Sequence, residues 1–294
     1  MPESIPGHSG LRALADRYDA FILDLWGVVH DGQTPYPDAV ATLKALKDAG
    51  KPVIMLSNAP RRSVVVEDAM TAMGIDRGLY DQVLSSGEAV RMELERPRDP
   101  FYAGLGDTVY YLGRRGDESV LEGLARFRMV DDPAEASWIL DTGPRTFEQT
   151  LGDLEPELRA LAERKLPLVC ANPDRVVIRA GKRILCAGAM ADRYEELGGG
   201  PVSWRGKPDP AVYELCLERL GLTDRGRVAT VGDSFHTDIA GGTAAGIDTI
   251  LCTAGIHGEE LGVAYGDLAD PACVADLAAR EGVTPTAYVP AFRW

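Results

Sequence analysis

Three apolar, strand-like runs of this chain each end in a reactive polar side chain. They are residues 20–25 with Asp24, residues 52–56 before Ser57, and residues 228–231 before Asp233. Strands that are apolar throughout are typical of parallel sheets whose two faces are covered by helices. Ligands of such open α/β sheets bind at the carboxyl ends of the strands. The three runs therefore predict a parallel sheet that brings Asp24, Ser57 and Asp233 to one edge.

The runs belong to a longer alternation of strands and helices with a break in its middle. The composition changes at residues 96–100, and a separate series follows, with strands expected at 108–112, 137–141 and 166–171 and helices at 117–125 and 147–164. We expect three segments: core residues 1–86, an inserted α/β domain over residues 87–187, and core residues 188–294. The site is then assembled from both ends of the chain, and the insert lies over it as a lid.

The charge of the chain excludes two classes of partner. Its formal net charge is −14 and its pI is about 4.8, so the average field repels nucleic acid and anionic membrane surfaces. No uncharged apolar stretch approaches the roughly 18 residues that a membrane helix needs, and residues 1–8 lack the pattern of a secretory signal. We expect a protein without nucleic-acid or membrane partners.

The cysteines favour a reducing compartment. Their number is odd and they are scattered, at Cys170, Cys186, Cys216, Cys252 and Cys273. This distribution fits buried thiols better than a disulfide framework. We therefore expect a cytoplasmic protein.

Asp24 has two interpretations. It precedes Gly27, where the backbone can approach a ligand closely, and its carboxylate can attack phosphorus to form an aspartyl-phosphate. The alternative is an aspartate that caps a helix or forms a turn. The other polar segments favour the nucleophile, because a single motif is a weak signal and several in order are not.

Asp233 and Asp238 form a second acidic cluster. Magnesium prefers hard oxygen ligands, so Asp24 and Asp233 suit one Mg²⁺, with Asp238 as a further ligand or as support for it. Capping of the following helix by Ser234 or Asp238 is the structural alternative, and both roles can coexist.

Three further groups are suited to a phosphate. Ser57 offers a hydroxyl, Asn58 an adjacent backbone N–H, and Lys207 a compact positive charge on a loop constrained by Gly206 and Pro208. Each is weak alone, since Ser-Asn and Gly-Lys-Pro are common in turns and loops. Their joint placement predicts a phosphoryl-transfer site.

These segments resemble the four motifs of the haloacid dehalogenase (HAD) superfamily. The insert between the second and third motifs, and the segment Ala171-Asn172-Pro173-Asp174, resemble subclass IIA. The resemblance covers most of the chain and implies a three-layer, parallel-sheet (Rossmann-like) α/β core with an inserted α/β cap, acting as a magnesium-dependent phosphohydrolase. Motif by motif, it implies Asp24 as the nucleophile, Ser57 as a phosphate ligand, Lys207 as the stabilising charge, and Asp233 as a magnesium ligand supported by Asp238.

Trp26 departs from the family pattern. Family phosphatases carry there a second aspartate that protonates the leaving group and activates water, and they use the backbone carbonyl of that position to bind magnesium. Tryptophan keeps the carbonyl but cannot transfer the proton, and losing positioned acid–base catalysis typically costs about 10²–10⁴-fold in rate. Three explanations stay open: His30 or Asp31 replaces the acid, although Asp-Gly also marks a turn; the substrate is an acyl or aryl phosphate with a good leaving group; or the protein binds a phosphorylated ligand without turnover.

The insert is expected to select the substrate, a small phosphorylated metabolite. Its candidate contacts are Arg145, Asn172, Asp174 and Arg175, and arginine suits a second anionic group on the ligand. The adjacent pairs Arg61-Arg62 and Arg114-Arg115 are interpreted as solvated surface, although the first follows Asn58 closely. A homodimer is among the expectations.

Overall fold

A computed structural model describes residues 5–115, 117–179 and 182–294. The strands in these ranges are β1 (Ala20–Leu23), β2 (Val53–Ser57), β3 (Gln82–Ser85), β4 (Thr108–Leu112), β5 (Arg128–Val130), β6 (Trp138–Asp141), β7 (Leu168–Cys170), β8 (Val176–Arg179), β9 (Lys182–Leu185), β10 (Val202–Trp204), β11 (Val228–Gly232), β12 (Asp248–Cys252) and β13 (Ala287–Val289). The helices are α1 (Ala39–Asp48), α2 (Ser63–Ala72), α3 (Ser86–Glu95), α4 (Pro100–Ala103), α5 (Leu151–Glu163), α6 (Ala187–Glu196), α7 (Pro210–Leu220), α8 (Ala240–Ala244), α9 (Gly258–Leu261) and α10 (Pro271–Glu281).

The larger sheet joins the two ends of the chain. Its strand order is β13-β12-β11-β1-β2-β3, with every pairing parallel, so β1 lies between β11 and β2. Alternate residues of β1 are buried on opposite faces: Phe21 packs with Leu43 of α1, and Ile22 packs with Val212 of α7. The expected three-layer, parallel-sheet core is confirmed.

The smaller sheet forms the inserted domain. Its order is β10-β7-β6-β4-β5, again parallel throughout. One face packs on α5 and α6 through Leu158 and Met190, and the other packs on α3 through Val90. The insert is therefore a second three-layer α/β unit.

The return of the chain to the core comes later than the expected boundary at residue 188. β10 pairs with β7 of the smaller sheet, with Ser203 opposite Val169, and Met190 and Tyr194 of α6 are buried in the core of the insert. We accordingly place the return at Arg205-Gly206.

Two other local expectations differ from the structure. Residues 117–125 contain one 3₁₀ turn, Glu118–Val120, instead of a helix, and Gly123 at φ +74° is in a conformation that a helix does not accept. An antiparallel hairpin of β8 and β9, where the sequence pattern predicts no strands, follows β7. Before β1 the chain forms two 3₁₀ turns, Leu11–Ala13 and Ala15–Arg17.

The five cysteines are free, and all but Cys273 are buried, as expected for small apolar side chains. None of the helices in the described ranges has the length and apolar character that crossing a bilayer requires.

A cavity of about 1070 Å³ separates the core from the insert. The loops after β1, β2 and β11 form its core side, and the loops after β4, β6 and β7, together with the hairpin, form the opposite side. The carboxyl edges of both parallel sheets therefore face one space.

Candidate active site

Asp24, Lys207 and Asp238 meet on the core side of this cavity. Asp24 follows β1, and its backbone N–H donates to Val231 O of β11 at 2.9 Å, which fixes the start of the loop. Lys207 Nζ donates to Asp24 Oδ1 at 2.5 Å and to Asp238 Oδ1 at 2.7 Å. All three side chains are buried, at 3% exposure for Lys207, 9% for Asp24 and 1% for Asp238. The ammonium is thus held between two carboxylates, one from the segment after β1 and one from the segment after β11.

Asp233 completes an acidic cluster with Asp24 and Asp238. One carboxylate oxygen from each of the three lies within 4.8 Å of the others. Octahedral magnesium binds oxygens at about 2.0–2.1 Å, so oxygens at opposite positions of its shell are roughly 4 Å apart. The donor chemistry and the spacing both fit one such ion.

Glycines let the backbone close around Asp233. A Cβ at Gly27, where φ is +79°, would lie 1.9 Å from Asp233 Oδ2, and one at Gly255 would lie 2.2 Å from the same atom. The backbone N–H of Ile256 donates to Asp233 Oδ2 at 2.8 Å. The position of this carboxylate is therefore set by the main chain on two sides.

Asp238 bonds both to Lys207 and to the start of the following helical turn, and its magnesium role stays a prediction. Its Oδ1 accepts from Lys207, while its Oδ2 accepts from the backbone N–H of Ser234 at 3.2 Å, at the start of the helical turn Phe235–Ile239. Ser234 itself makes no side-chain capping bond. One carboxylate thus caps the turn and faces the ammonium.

Burial and mutual repulsion shift the titration of the cluster. Burial raises the pKa of Asp24 well above its ordinary value, against the opposing effect of Lys207. Burial together with the charge of Asp238 raises the pKa of Asp233 to about 7. Burial alone would lower the pKa of Lys207, but Asp238 and Asp24 raise it well above its ordinary value. The site therefore holds a permanent ammonium and carboxylates that a further cation would stabilise in the ionised state.

Ser57 and Asn58 extend from the end of β2 into the same cavity. The Ser57 hydroxyl accepts from the backbone N–H of Ala59 at 3.2 Å. The Asn58 side chain is committed to the protein: it accepts from Lys207 N at 2.7 Å and donates to Lys207 O at 3.0 Å and Asp174 Oδ1 at 2.8 Å. Asn58 thus positions Lys207 with its amide, which leaves only its main chain for the phosphate contact expected from the sequence.

Trp26 presents an indole ring where an acid is typical. The ring is half-buried at the cavity wall, packs over Gly32, and meets the His30 imidazole edge-to-face with centroids 5.6 Å apart. A Cβ at Gly32 would lie 2.0 Å from the indole. The expectation that the Trp26 carbonyl binds magnesium stays a prediction.

The hydrogen bonds of His30 and of Asp31 Oδ1 belong to the turn, although Asp31 also lines the cavity. His30 is buried, its Nδ1 accepts from Gly32 N at 3.1 Å, and burial lowers its pKa to about 4, so it is neutral near pH 7. Asp31 accepts from the backbone N–H groups of Gln33 and Thr34 at 2.9 and 2.8 Å, and these bonds lower the pKa of its carboxyl. The turn interpretation of this segment accounts for both residues.

Asn172 and Asp174 lie on the cavity side of the insert. Asn172 Oδ1 accepts from Asp174 N at 3.1 Å, and Asp174 Oδ1 accepts from Asn58 of the core. Burial raises the pKa of the Asp174 carboxyl. This segment joins the insert to the residue that positions Lys207.

Arg145 does not reach the site, contrary to expectation. Its Nη1 and Nη2 each lie 2.6 Å from Glu157 of α5, and Nη2 also donates to the Tyr110 hydroxyl at 3.2 Å. The bidentate pair holds the guanidinium against the insert, outside the residues that line the cavity. Arg175 does line the cavity, but its guanidinium pairs with Asp192 at 2.8 and 3.1 Å.

Arg61 and Arg114, interpreted from the sequence as solvated surface, line the cavity instead. Each follows a strand of a parallel sheet, Arg61 after β2 and Arg114 after β4. Their place after the carboxyl end of a parallel strand, which also predicts Asp24 and Ser57 as site residues, is the sequence signal for this position.

Comparisons with known proteins agree with this geometry. Residues 21–125 match the family described as haloacid dehalogenase-like hydrolase, and residues 204–279 match one described as HAD-hydrolase-like, which begins where the chain returns to the core. The crystal structure of a haloacid dehalogenase-like hydrolase from Brucella suis 1330 has 32% identity and a TM-score of 0.80, over 96% of this chain and 98% of that one.

Two further relatives carry more specific names. The p-nitrophenyl phosphatase from Archaeoglobus fulgidus has 26% identity and a TM-score of 0.70, over 94% of this chain and 97% of that one. Chronophin from Bos taurus is 28% identical over an alignment of 277 residues, and the match covers 87% of this chain and 88% of chronophin.

Proposed function

The chain belongs to the haloacid dehalogenase-like hydrolases and is a phosphohydrolase, and from that premise we propose that it is a Mg²⁺-dependent phosphatase of a small phosphorylated metabolite that works through an aspartyl-phosphate on Asp24. The contact of Lys207 Nζ with Asp24 Oδ1 beside a three-carboxylate cluster carries this proposal. The buried ammonium favours the ionised form of Asp24 against the opposing effect of burial, and it offsets the charge of an incoming phosphoryl group.

The proposed reaction has two displacements at phosphorus. In the first, a carboxylate oxygen of Asp24 forms a bond to phosphorus, and the bond from phosphorus to the leaving oxygen breaks, with its electron pair going to that oxygen. In the second, water attacks the aspartyl-phosphate, the bond to Asp24 breaks, and phosphate is released with the proton of the water passing to phosphate or solvent. The Ser57 hydroxyl would donate a hydrogen bond to a phosphoryl oxygen during both steps.

Asp24, Asp233 and Asp238 would hold the magnesium ion, with Asp238 as a ligand or as support. When bound, Mg²⁺ supplies positive charge to the phosphoryl oxygens and lowers their repulsion of the nucleophile. The fit rests on the donor chemistry of three carboxylates whose oxygens lie within 4.8 Å of one another.

The leaving group is the restricted part of the proposal. With an indole at Trp26, and with His30 and Asp31 engaged in a turn, no side chain among these is set to protonate a leaving alkoxide. Aryl and acyl phosphates leave as weak bases and need little protonation. The similarity to a p-nitrophenyl phosphatase supports the aryl class as a laboratory substrate.

Trp26 also favours a second candidate, a protein that binds a phosphorylated ligand and turns it over weakly or not at all. It would keep the magnesium and phosphate contacts while lacking the proton transfer. In that case a ligand would stabilise the folded protein without release of phosphate.

Phosphate release with Mg²⁺ tests the proposal, on purified protein and a panel of aryl, acyl, sugar and nucleotide phosphates. Asp24→Asn should abolish phosphate release. The matched change Asp31→Asn removes a carboxylate from the nearby turn and should leave phosphate release in place. Release that persists in Asp24→Asn would exclude Asp24 as the nucleophile. Ligand-dependent thermal stabilisation without release from any substrate would favour the binding protein.

Two further expectations belong to this proposal. A cytoplasmic location is proposed from the free cysteines, and a homodimer stays a prediction for solution measurement. The metabolite is proposed only by class.

A further inference from the structure

We propose that Arg61 and Arg114 form a subsite for a second anionic group of the substrate, so that the natural ligand is a phosphate monoester that also bears a carboxylate or another phosphate. The inference rests on the proposed function and names the substrate class more closely. It places recognition of the second anion at the mouth of the cavity, between the core and the insert.

Three charged side chains form this subsite. Arg61 Nε lies 2.5 Å from Asp117 Oδ1, and Arg114 Nη2 donates to Asp117 Oδ2 at 2.9 Å. All three residues line the cavity, with side-chain exposures of 33% for Arg61, 28% for Arg114 and 11% for Asp117. Two guanidinium groups thus share a single carboxylate.

That sharing leaves an excess of positive charge and of hydrogen-bond donors. A guanidinium has more N–H groups than one carboxylate can accept, and two of them leave donors directed elsewhere. Arg61 also donates from Nη2 to Asp117 Oδ2 at 3.4 Å, so both guanidinium groups depend on the same two carboxylate oxygens. Two guanidinium groups that share one carboxylate at the wall of a cavity are an arrangement that a ligand carboxylate or phosphate would complete.

The other arginines considered for this role are already neutralised. Arg145 pairs with the Glu157 carboxylate at 2.6 Å, which also accepts from the Tyr110 hydroxyl, and Arg175 pairs with that of Asp192 at 2.8 Å. Each of these is a bidentate pair with one carboxylate for one guanidinium. Only the Arg61, Arg114 and Asp117 group, among these three, carries a net positive charge.

The geometry of the subsite is fixed on both sides. The Arg114 guanidinium lies over the Phe147 ring, 4.1 Å from its centroid, which orients its plane. Arg61 belongs to the core, and the adjacent Arg62 donates from its backbone N–H to Ser119 Oγ of the insert at 3.2 Å. A second anion bound here would bridge the core and the insert, with Asp117 occupying its place when no ligand is bound.

The experiment compares substrates that differ by one carboxylate. The ratio of kcat/KM for 2-, 3- and 4-carboxyphenyl phosphate to that for phenyl phosphate is measured with Mg²⁺, and the isomer with the highest ratio is used for the variants. We expect that ratio to exceed 1 in the unmodified protein and to fall about tenfold in Arg114→Gln, since a charge-assisted hydrogen bond is removed. Asp117→Asn should raise it, because the competing carboxylate is neutralised.

Arg145→Gln is the matched control, because it removes an insert guanidinium that lies outside the cavity, and it should leave the ratio as it is. The inference is overturned if no isomer exceeds a ratio of 1, if Arg114→Gln leaves the ratio unchanged, or if Asp117→Asn does not raise it. A uniform loss for both substrates in the Arg114 and Asp117 variants would indicate a purely structural contact between core and insert.

The inference and the proposed function fail separately. Absence of Asp24-dependent turnover of phenyl phosphate contradicts the phosphatase and leaves the subsite to be measured by binding. In that case the same comparison is made with dissociation constants of the carboxyphenyl phosphates and phenyl phosphate, from calorimetric titration of the unmodified protein and the three variants.

Discussion

Asn58 and Lys207 exchange two hydrogen bonds across 149 residues of sequence: the Asn58 amide accepts from Lys207 N at 2.7 Å and donates to Lys207 O at 3.0 Å. The same amide nitrogen donates to Asp174 of the insert at 2.8 Å. One side chain from the first half of the core therefore fixes the main chain that carries the ammonium in the second half. This contact makes the position of Lys207, and not only its charge, a property of the whole fold.

Asn58→Ala is expected to lower kcat at least tenfold and to reduce the free energy of unfolding by about 1–3 kcal/mol, because it leaves buried backbone and carboxylate groups unpaired. Turnover of an aryl phosphate and urea unfolding measure the two effects. Asn58→Asp keeps the acceptor for Lys207 N but loses the donor to Lys207 O and Asp174. Its new carboxylate would face that of Asp174, so its stability should lie between those of the Ala variant and the unmodified protein only if Asp174 takes up a proton. A kcat within twofold of the unmodified protein in the Ala variant would contradict the positioning role.

Trp26→Asp is expected to raise turnover of alkyl phosphates at least tenfold relative to aryl phosphates, because it restores a group that can protonate the leaving oxygen. Trp26→Ala is the control, since it removes the same ring without adding an acid. Phosphate release from a matched alkyl and aryl pair gives the ratio. An equal gain in both variants would mean that the indole acts by blocking access; no gain in either would place the limitation elsewhere.

Gly27→Ala is expected to weaken the effect of Mg²⁺ on thermal unfolding, because the added Cβ would lie 1.9 Å from Asp233 Oδ2 and must displace that carboxylate. Gly50→Ala is a matched control: Gly50 also has positive φ, +67° against +79° at Gly27, but its Cβ would meet nothing within 4 Å. Both variants should lose about 1–2 kcal/mol from the left-handed backbone. Only Gly27→Ala should also lose the Mg²⁺-dependent shift, and equal shifts in the two would refute the contact.

His30 is expected to make the protein less stable in acid. Burial lowers its pKa from 6.5 to about 4, so below about pH 6.5 the unfolded chain binds a proton that the folded protein excludes. This contribution to the free energy of unfolding is complete above that pH and is lost as the pH falls toward 4. At pH 5 the loss amounts to about 2 kcal/mol.

The measurement is the free energy of unfolding at pH 7 and pH 5. His30→Asn, which keeps an acceptor for Gly32 N and does not titrate, should lose about 2 kcal/mol less than the unmodified protein over this interval. Equal losses in the two proteins would show that His30 is not the group responsible.

The sequence predicted the elements whose signal is local. The runs that became β1, β2 and β11 are apolar on both faces, and a strand of that kind is stable only inside a covered parallel sheet, so the polar residues after them had to share an edge. β10 was assigned to the wrong sheet for the converse reason: three half-buried residues carry no mark of which open strand they will join.

For the site, the sequence by itself determined the residue types and their order: Asp24, Ser57, Lys207 and Asp233, each at a strand end or on a constrained loop. Only the tertiary structure decided which charges meet. Arg145 was an expected ligand contact and pairs with Glu157, whereas Arg61 and Arg114 were expected on the surface and share Asp117 at the cavity. The physical reason is that a long cationic side chain pairs with a carboxylate that is close in space, and distances in space are set by how the elements pack, which no local pattern in the chain encodes.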